Sequence, residues 1–145
     1  MNKYTHILVA VDFSADSTLL GARAVELQGL YGARLSFVHI VEHIPLEAGS
    51  ELLMGPDFDI EQQLVDSART RLADYVKQVG VADADQHVTL GTTKNEITRL
   101  AQELQADLIV VGSHGRHGLA LLLGSTANGV LHDAPCDVLA IRVRS

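Results

Sequence analysis

Residues 6–11 read His6-Ile7-Leu8-Val9-Ala10-Val11, and this almost unbroken apolar run ends abruptly at Asp12. Such a run is typical of a strand buried on both faces of a parallel sheet, because a half-exposed strand alternates apolar with polar residues. Several residues suited to capping a helix follow, and apolar residues then recur at helical spacing at Leu19, Leu20, Ala24, Leu27 and Leu30. The sequence therefore predicts a strand, a short polar loop and a helix.

The same unit recurs along the chain. A β-rich run from Arg34 to Ile40 precedes one helical stripe, made of Ile60, Leu64, Ala68, Leu72, Tyr75, Val76 and Val79. The remaining sequence predicts three strands, at His87–Leu90, Asp107–Val111 and Val138–Val143. It also predicts two helices, at Glu96–Leu104 and from about Gly124. Alternating strands and helices imply right-handed crossovers. We expect a single α/β domain over residues 1–145: a Rossmann-like, open five-stranded parallel sheet of order 3-2-1-4-5, with helices on both faces.

Composition narrows the classes of function. A length of 145 residues with 47% hydrophobic residues allows one domain with a sizeable core, and a net charge of -7 repels the phosphate backbone of nucleic acid. The longest stretch without Asp, Glu, Lys or Arg is 16 residues, from His117 to His132, where a membrane helix needs about 20. With no signal-peptide pattern and a single cysteine, Cys136, we expect a cytoplasmic location without membrane insertion.

Ligands of such sheets bind beyond the carboxyl ends of the strands, where the strand order reverses, so the loops after strands one and four are the expected site. An irregular segment from Glu42 to about Asp59 is longer than the usual connection of about 2–6 residues and predicts a flap. Asp12, at the end of strand one, is a candidate either for contacts with a ligand's hydroxyl groups or for capping the first helix.

The most informative stretch is the glycine loop, Val111-Gly112-Ser113-His114-Gly115-Arg116-His117-Gly118, after which Gly124-Ser125-Thr126 opens the last helix. Glycines let the backbone approach a ligand, and a helix start adds unpaired N–H donors, so the loop is suited to phosphate. The alternative is that the glycines only make turns and Ser125 only caps its helix. The loop is neither a Walker A motif nor a Gly-x-Gly-x-x-Gly dinucleotide motif.

The pattern of Gly112, Gly115, Gly124 and Ser125 resembles the signature of the universal stress protein family, which belongs to a superfamily of adenine nucleotide alpha-hydrolase-like proteins. The resemblance extends from Ile7–Ser14 to His132–Arg142. It implies a stress-response module that binds ATP or AMP, with Mg²⁺ or Mn²⁺ held by the phosphates and with at most very slow hydrolysis, rather than a metabolic enzyme. It also implies a homodimer joined through the last strand, Val138–Val143.

The resemblance implies a set of binding residues. Ala10, Val11 and Asp12 would line the adenine and ribose side, Ile40 would meet the base, and Gly91 would flank the pocket. The ribose and phosphates would lie on the glycine loop and the helix start, at Gly112, Ser113, Gly115, Arg116, Gly124, Ser125 and Thr126. Eight residues separate Gly115 from Gly124 where the family pattern has nine, which favours a second hypothesis: an interaction module of the same fold that binds no nucleotide.

Other candidates carry weaker chemistry. His114 and His117 lack nearby acidic or thiol partners in the sequence, so a solvated loop is favoured over a metal site. Cys136 is interpreted as a packing residue. An enzyme of the related nucleotidyl-transfer or ATP-pyrophosphatase groups would need a different motif after strand one, where this chain has Asp12-Phe13-Ser14-Ala15-Asp16-Ser17.

Overall fold

The computed structural model describes residues 3–14, 17–42, 60–112 and 125–142. The strands are β1 His6–Ala10, β2 Arg34–Val41, β3 Asp85–Leu90, β4 Leu108–Gly112 and β5 Asp137–Ile141. The helices are α1 Ser17–Tyr31, α2 Ile60–Gln78, α3 Thr93–Leu104 and α4 Ser125–Asp133. None of these four helices combines the length and the apolar character that crossing a membrane requires. The flap predicted up to Asp59 lies outside the described residues, apart from Glu42.

The five strands form one open sheet in which every neighbouring pair is parallel, in the order β3-β2-β1-β4-β5. The predicted fold class and strand order are confirmed. β1 lies at the centre, with β2 on one side and β4 on the other, so the direction of winding reverses between β1 and β4. A crevice at the carboxyl ends of these two strands is therefore the position that this architecture offers to a ligand.

Apolar side chains cover both faces of the sheet, which explains why the central strands read as continuous apolar runs. On one face Ile7, Val9 and Phe37 pack with residues of α1 and α2, and on the other Leu8, Val38 and Ile109 pack with residues of α3 and α4. All six side chains are completely buried. The sheet is thus the rigid middle layer on which the loops at its carboxyl edge are mounted.

Two helical stripes differ from the sequence prediction. In α2, Leu64 is 38% exposed, while its neighbour Val65 is buried and continues the inward line of Ala68 and Leu72. In α1, Leu30 is 76% exposed. Neighbouring positions differ by 100° around a helix axis, and an apolar stripe is at least that wide. Spacing alone therefore also fits these leucines to the inward face, and packing against the sheet decides which apolar residues are buried.

Helices α1 and α2 approach each other closely at Gly21. A Cβ atom added there would lie 2.5 Å from Tyr75 Oη and 2.7 Å from Val79 Cγ1, so only glycine fits without displacement. Tyr75 Oη donates a hydrogen bond of 2.6 Å to the carbonyl oxygen of Ser17, the first residue of α1. Burial raises the pKa of Tyr75 to about 12, so the phenol stays protonated and keeps donating. This contact fixes the start of α1 directly behind the loop that follows β1.

Hydrogen bonds close the amino edge of the sheet. Asp107, just before β4, accepts from the backbone N–H of Thr5 and of His6 at 2.9 and 3.0 Å and from the Thr5 hydroxyl at 2.9 Å. The buried ring of His6 contacts Ser36 Oγ at 2.7 Å and the carbonyl oxygen of Leu104 at 3.2 Å. Since a carbonyl can only accept, His6 Nδ1 carries the proton there, and Nε2 accepts from the Ser36 hydroxyl when the ring is neutral.

Candidate functional site

The carboxyl end of β1 brings three predicted residues to the edge of the sheet. Ala10 is half-buried on the face covered by α3 and α4, and Val11 is buried on the opposite face. The N–H of Val11 donates to the carbonyl oxygen of Val38 at 2.8 Å, so β2 supports the chain one residue past the end of β1. Asp12 follows and is exposed. The chain therefore presents a carboxylate where β1 leaves the sheet.

Asp12 takes part in the turn that leads into α1. Its Oδ1 accepts a hydrogen bond of 2.9 Å from the N–H of Ser14 and one of 3.3 Å from Ser17 Oγ. These contacts stabilise the turn before α1 and use one of the two carboxylate oxygens. Neither donor is a backbone N–H of α1, so capping of this helix by Asp12 stays a prediction. A contact of Asp12 with a ligand would use the other oxygen, Oδ2, and stays a prediction.

His39 is a residue of this edge that the sequence reasoning did not assign to the site. It is the third residue from the end of β2, and its Nδ1 lies 2.7 Å from the carbonyl oxygen of Val11, to which it donates. Burial lowers the pKa of His39, and Arg71 acts in the same direction, against the opposing effects of the Val11 carbonyl and Asp12. A polar residue near the end of an apolar strand was the only signal available in the sequence.

Ile40 and Gly91 lie on the β2 and β3 side of β1. Ile40 is buried and packs in the cluster that contains Ile97 and Val111. Gly91 follows β3, donates its N–H to the carbonyl oxygen of Val41 at 3.0 Å, and has φ +154°. An added Cβ would lie 2.9 Å from Cγ of Glu96, so the position favours glycine for reasons of backbone and space.

On the other side of β1, Gly112 is the last residue of β4 and pairs with Ile141 of β5. The last helix begins at Ser125, with Thr126 as its second residue, which agrees with the predicted start near Gly124. Because α4 leads into the amino end of β5, its first residues lie toward the carboxyl edge. The remaining predicted contacts, Ser113, Gly115, Arg116 and Gly124, lie outside the described residues, as do His114 and His117.

Helix α4 packs against Lys94 of α3, a contact that the sequence pattern did not indicate. Val130 of α4 is completely buried against the sheet. The aliphatic stem of Lys94 from α3 crosses Gly129, where an added Cβ would collide with Lys94 Cδ. The Lys94 ammonium ends 3.5 Å from Asp133 at the end of α4. The missing side chain at Gly129 thus lets the two helices and the lysine pack together.

The start of α3 is joined to the end of β2. Thr93 Oγ1 donates a hydrogen bond of 2.6 Å to Glu42 Oε1. One turn further, hydrogen bonding from Arg99 lowers the pKa of Glu96. Glu96 therefore stays ionised beside Gly91, and its charge is balanced by the Arg99 guanidinium at 2.9 Å.

Other kinds of site find less support in the described part of the chain. No group of three His, Cys, Asp or Glu side chains in residues 3–14, 17–42, 60–112 and 128–142 is arranged to bind a metal ion. A depression of about 220 Å³ at the amino edge is lined by Arg34, Asp83 and Asp85, among others. Arg34 already pairs with Asp85, at 2.7 Å from Nε to Oδ2, so the carboxylates would repel an anionic ligand.

The sequence of the chain matches one family of known proteins over nearly its whole length. The sequence model described as the universal stress protein family matches residues 3–142. Universal stress protein A homolog 1 of Coxiella burnetii is 43% identical over 138 residues, which is 95% of this chain and 96% of that protein. Universal stress protein A homolog 2 of the same organism is 40% identical over 146 residues, covering 99% of both.

Solved structures share the fold. Universal stress protein UspA from Lactobacillus plantarum superposes with a TM-score of 0.73 at 26% identity, covering 99% of this chain and 100% of that one. A universal stress protein in complex with cAMP gives a TM-score of 0.67 at 24% identity, covering 95% and 96%. The protein from Archaeoglobus fulgidus in complex with dAMP gives 0.63 at 23% identity, covering 95% and 98%.

Proposed function

Because this chain belongs to the universal stress protein family, we propose that it is a stress-response module that binds an adenine nucleotide, ATP or AMP, at the carboxyl ends of β1 and β4. The observation that carries the proposal is the topology: the winding of the sheet reverses between β1 and β4, next to Asp12 and Gly112. A crevice of this kind accepts a nucleotide because strand ends, loop amides and a helix start converge on it.

The proposed contacts follow the chain around this crevice. Ala10, Val11 and Asp12 would face the adenine and ribose, Ile40 the base, and Gly91 the rim of the pocket. The ribose and phosphates would contact the residues after β4, namely Gly112, Ser113, Gly115, Arg116, Gly124, Ser125 and Thr126. Mg²⁺ or Mn²⁺ would be held by the phosphates.

The ligands of two structural neighbours support the choice of adenine. One neighbour was solved with cAMP and another with dAMP, and both share the fold at 24% and 23% identity. Both ligands contain an adenine base, a ribose-type sugar and one phosphate. The triphosphate and the metal ion rest on the glycine pattern of Gly112, Gly115 and Gly124 instead.

We infer that binding, rather than turnover, is the main role. Hydrolysis of ATP by general-base catalysis needs a group within hydrogen-bond reach of the attacking water. Asp12 is the acidic residue that directly follows Val11 at the end of β1, and its Oδ1 is already engaged by Ser14 and Ser17. Hydrolysis is therefore expected to be very slow at most.

The cytoplasmic location remains a prediction from the sequence.

Calorimetric titration with ATP, AMP and GTP tests the proposal, together with chromatography of nucleotide released from the purified protein. We expect micromolar binding of ATP or AMP and weaker binding of GTP. The variants Gly115→Val and Gly124→Val should lose binding, because a β-branched side chain would block close approach of a phosphate. Gly29→Ala is the matched control, since an added Cβ at Gly29 meets nothing within 4 Å. Absence of binding by the unaltered chain would refute the proposal.

A second candidate function is an interaction module that binds no nucleotide. The observation that favours it is the short spacing of eight residues, Arg116 to Leu123, between Gly115 and Gly124. One residue fewer would shift the N–H donors at the start of α4 relative to the loop. Insertion of one alanine after Leu122 tests this idea: a gain of ATP affinity in the insertion variant would show that the natural spacing limits binding.

We further propose a homodimer through the last strand, Val138–Val143, of which residues 138–142 are described. β5 is an edge strand of the sheet, and Leu139 on it is 36% exposed. Exposed apolar edges favour pairing with another strand. Light scattering at tens of micromolar should give a dimer mass, which Leu139→Lys lowers and Leu30→Lys, at an exposed leucine of α1, leaves unchanged. A monomer mass for the unaltered chain would exclude the dimer.

A further inference from the structure

Phe13, in the loop that follows β1, stacks with one side chain from β2 and one from α2. The rings of Phe13 and His39 are 4.3 Å apart between centroids and inclined by 33°. The guanidinium carbon of Arg71, on α2, lies 4.4 Å from the centroid of the Phe13 ring. We call these three residues the Phe13 stack. It connects β2 and α2 to the residue that directly follows Asp12.

The backbone of Phe13 adopts an unusual conformation. Its φ is +59°, in the left-handed region that large side chains rarely occupy. Such a conformation persists only where the surroundings determine it, and it is found preferentially at functional sites. Contacts of the ring with His39, Arg71 and the edge of Tyr75 supply these surroundings. Because φ of Phe13 sets where the N–H of Ser14 lies, and this N–H donates to Asp12 Oδ1, these contacts help to place the Asp12 carboxylate.

His39 also fixes the residue on the other side of Asp12. Its Nδ1–H donates to the carbonyl oxygen of Val11 at 2.7 Å, while the N–H of Val11 donates to the carbonyl oxygen of Val38 at 2.8 Å. β2 thereby holds both backbone polar groups of Val11. Asp12 is thus held from both neighbours, through Val11 by a hydrogen bond and through Phe13 by a stacking contact.

We propose that His39 is a positioning residue of the candidate nucleotide site, which holds Asp12 in its binding orientation through the Val11 carbonyl and, with Arg71, through the Phe13 stack. This inference rests on the proposed nucleotide-binding function and assigns His39 and Arg71 parts in it. Neither residue contacts the nucleotide in this arrangement. His39 acts through Val11 and Phe13.

The charges of the Phe13 stack should make nucleotide binding sensitive to pH. Among the described residues, the charged groups that face His39 are Asp12 from the loop and Arg71 from α2, and the Tyr75 phenol of α2 contacts Phe13 from its edge. A protonated His39 would place a second cation on the ring that already carries Arg71. Burial and Arg71 both lower the pKa of His39, so the ring is neutral near pH 7 and Nδ1–H donation is retained. Acidification is therefore expected to loosen the stack.

Two substitutions of His39 separate the hydrogen bond from the ring. His39→Asn keeps an N–H donor at the position of Nδ1 and does not titrate, whereas His39→Phe keeps an aromatic ring and loses the donor. By calorimetry at neutral pH, we expect His39→Phe to weaken ATP or AMP binding about tenfold and His39→Asn by less than about threefold. Urea unfolding and amide spectra of each variant establish that the folded protein is being measured.

The pH profile supplies the readout that a merely structural role would not change. Because the pKa of His39 is lowered from its ordinary 6.5, affinity of the unaltered protein should fall at a more acidic pH than 6.5, and this fall should be smaller in His39→Asn. In Arg71→Gln its midpoint should move to higher pH, because a neighbouring cation is removed. Equal affinity of His39→Phe and the unaltered protein, or an unchanged pH profile in His39→Asn, would overturn the assignment of His39. Failure of the unaltered protein to bind either nucleotide would instead refute the proposed function, and this inference with it.

Discussion

The two edges of the sheet are built differently, although the same five strands form both. At the amino edge, side chains bridge strands with short hydrogen bonds: Asp107 to Thr5 and His6, His6 to Ser36, and Tyr4 to Asp137 at 2.8 Å. At the carboxyl edge, glycines end β4 and follow β3, Phe13 is left-handed, and Asp12 is exposed. One edge satisfies its polar groups internally, while the other leaves backbone and carboxylate positions open to a ligand.

The difference indicates how stability and binding are divided in this chain. Residues at the amino edge should contribute to the free energy of unfolding and have little effect on nucleotide affinity. Residues at the carboxyl edge should show the opposite pattern, because they are supported from below by the Phe13 stack and by the contact of Tyr75 with Ser17. Substitutions matched between the two edges test this division.

The largest loss of stability is expected for Asp107→Ala. Burial alone would raise the pKa of Asp107, but hydrogen bonds from His6 and Thr5 outweigh it and hold that pKa below its usual 3.8. Removing a charged acceptor of several donors should cost about 3 kcal/mol in urea unfolding, and Asp107→Asn about half of that. The stabilisation exists above pH 3.8, so the gap between wild type and Asp107→Ala should shrink as the pH falls below that value. A tenfold loss of ATP affinity in Asp107→Ala would contradict the division between the edges.

Gly21→Ala is expected to have the next largest effect. The new methyl group would meet Tyr75 Oη at 2.5 Å and Val79 Cγ1 at 2.7 Å, so α1 and α2 must separate. Thermal or urea unfolding should register a loss of about 2 kcal/mol. Gly29→Ala, in the same helix and with open space around it, should instead gain up to about 1 kcal/mol from helix propensity. Equal effects of the two substitutions would mean that the helices are not in close contact at Gly21.

Asp12→Asn should affect binding more than folding. The amide oxygen can still accept from the N–H of Ser14, so the free energy of unfolding should change by less than about 1 kcal/mol. Loss of the charge that would face the ribose hydroxyls should weaken ATP or AMP binding about tenfold in calorimetric titration. Asp83→Asn, at the depression of the amino edge, is the matched control and should change neither quantity. An unaltered affinity in Asp12→Asn would assign Asp12 to the turn alone.

The smallest expected effect is a loss of stability in mild acid. Burial lowers the pKa of both His39 and His87, so the folded chain binds fewer protons than the unfolded chain once the pH falls below 6.5. Stability should therefore be fully present above pH 6.5 and decrease as the pH falls toward the folded pKa values. His39 lies near the carboxyl edge, whereas His87 is in the edge strand β3. Urea unfolding at several pH values should show a smaller decrease in His39→Asn and in His87→Asn, and a decrease identical to wild type in both would refute the prediction.

Much of the fold could be predicted because burial on both faces makes β1 and β4 continuous apolar runs, and because crossovers between parallel strands are right-handed. The helix faces were less accurate: Leu64 and Val65 are both apolar, and only packing against the sheet decides that Val65 points inward. The ends of strands were also displaced, since β3 begins at Asp85, where pairing with Ser36 of β2 outweighs the polar character of its first residues.

The candidate site was predictable where a backbone requirement is written in the sequence. Gly91 and the start of α4 at Ser125 are such positions. His39, Arg71 and the Lys94–Gly129 contact were not, because each depends on two elements that are distant in sequence meeting in space. Asp12 was identified as both a ligand and a capping candidate, and the structure shows its Oδ1 accepting from Ser14 and Ser17 in the turn before α1.

The most direct test of the account is a titration of ¹⁵N-labelled protein with ATP and with AMP, followed by amide chemical shifts. We predict shifts that are concentrated at the carboxyl edge, at Asp12, Phe13, Gly112 and the first turn of α4. The amides of Thr5, His6 and Asp85 at the amino edge should stay in place. Spectra unchanged by both nucleotides, or shifts concentrated at the amino edge, would contradict the claim that the carboxyl ends of β1 and β4 bind an adenine nucleotide.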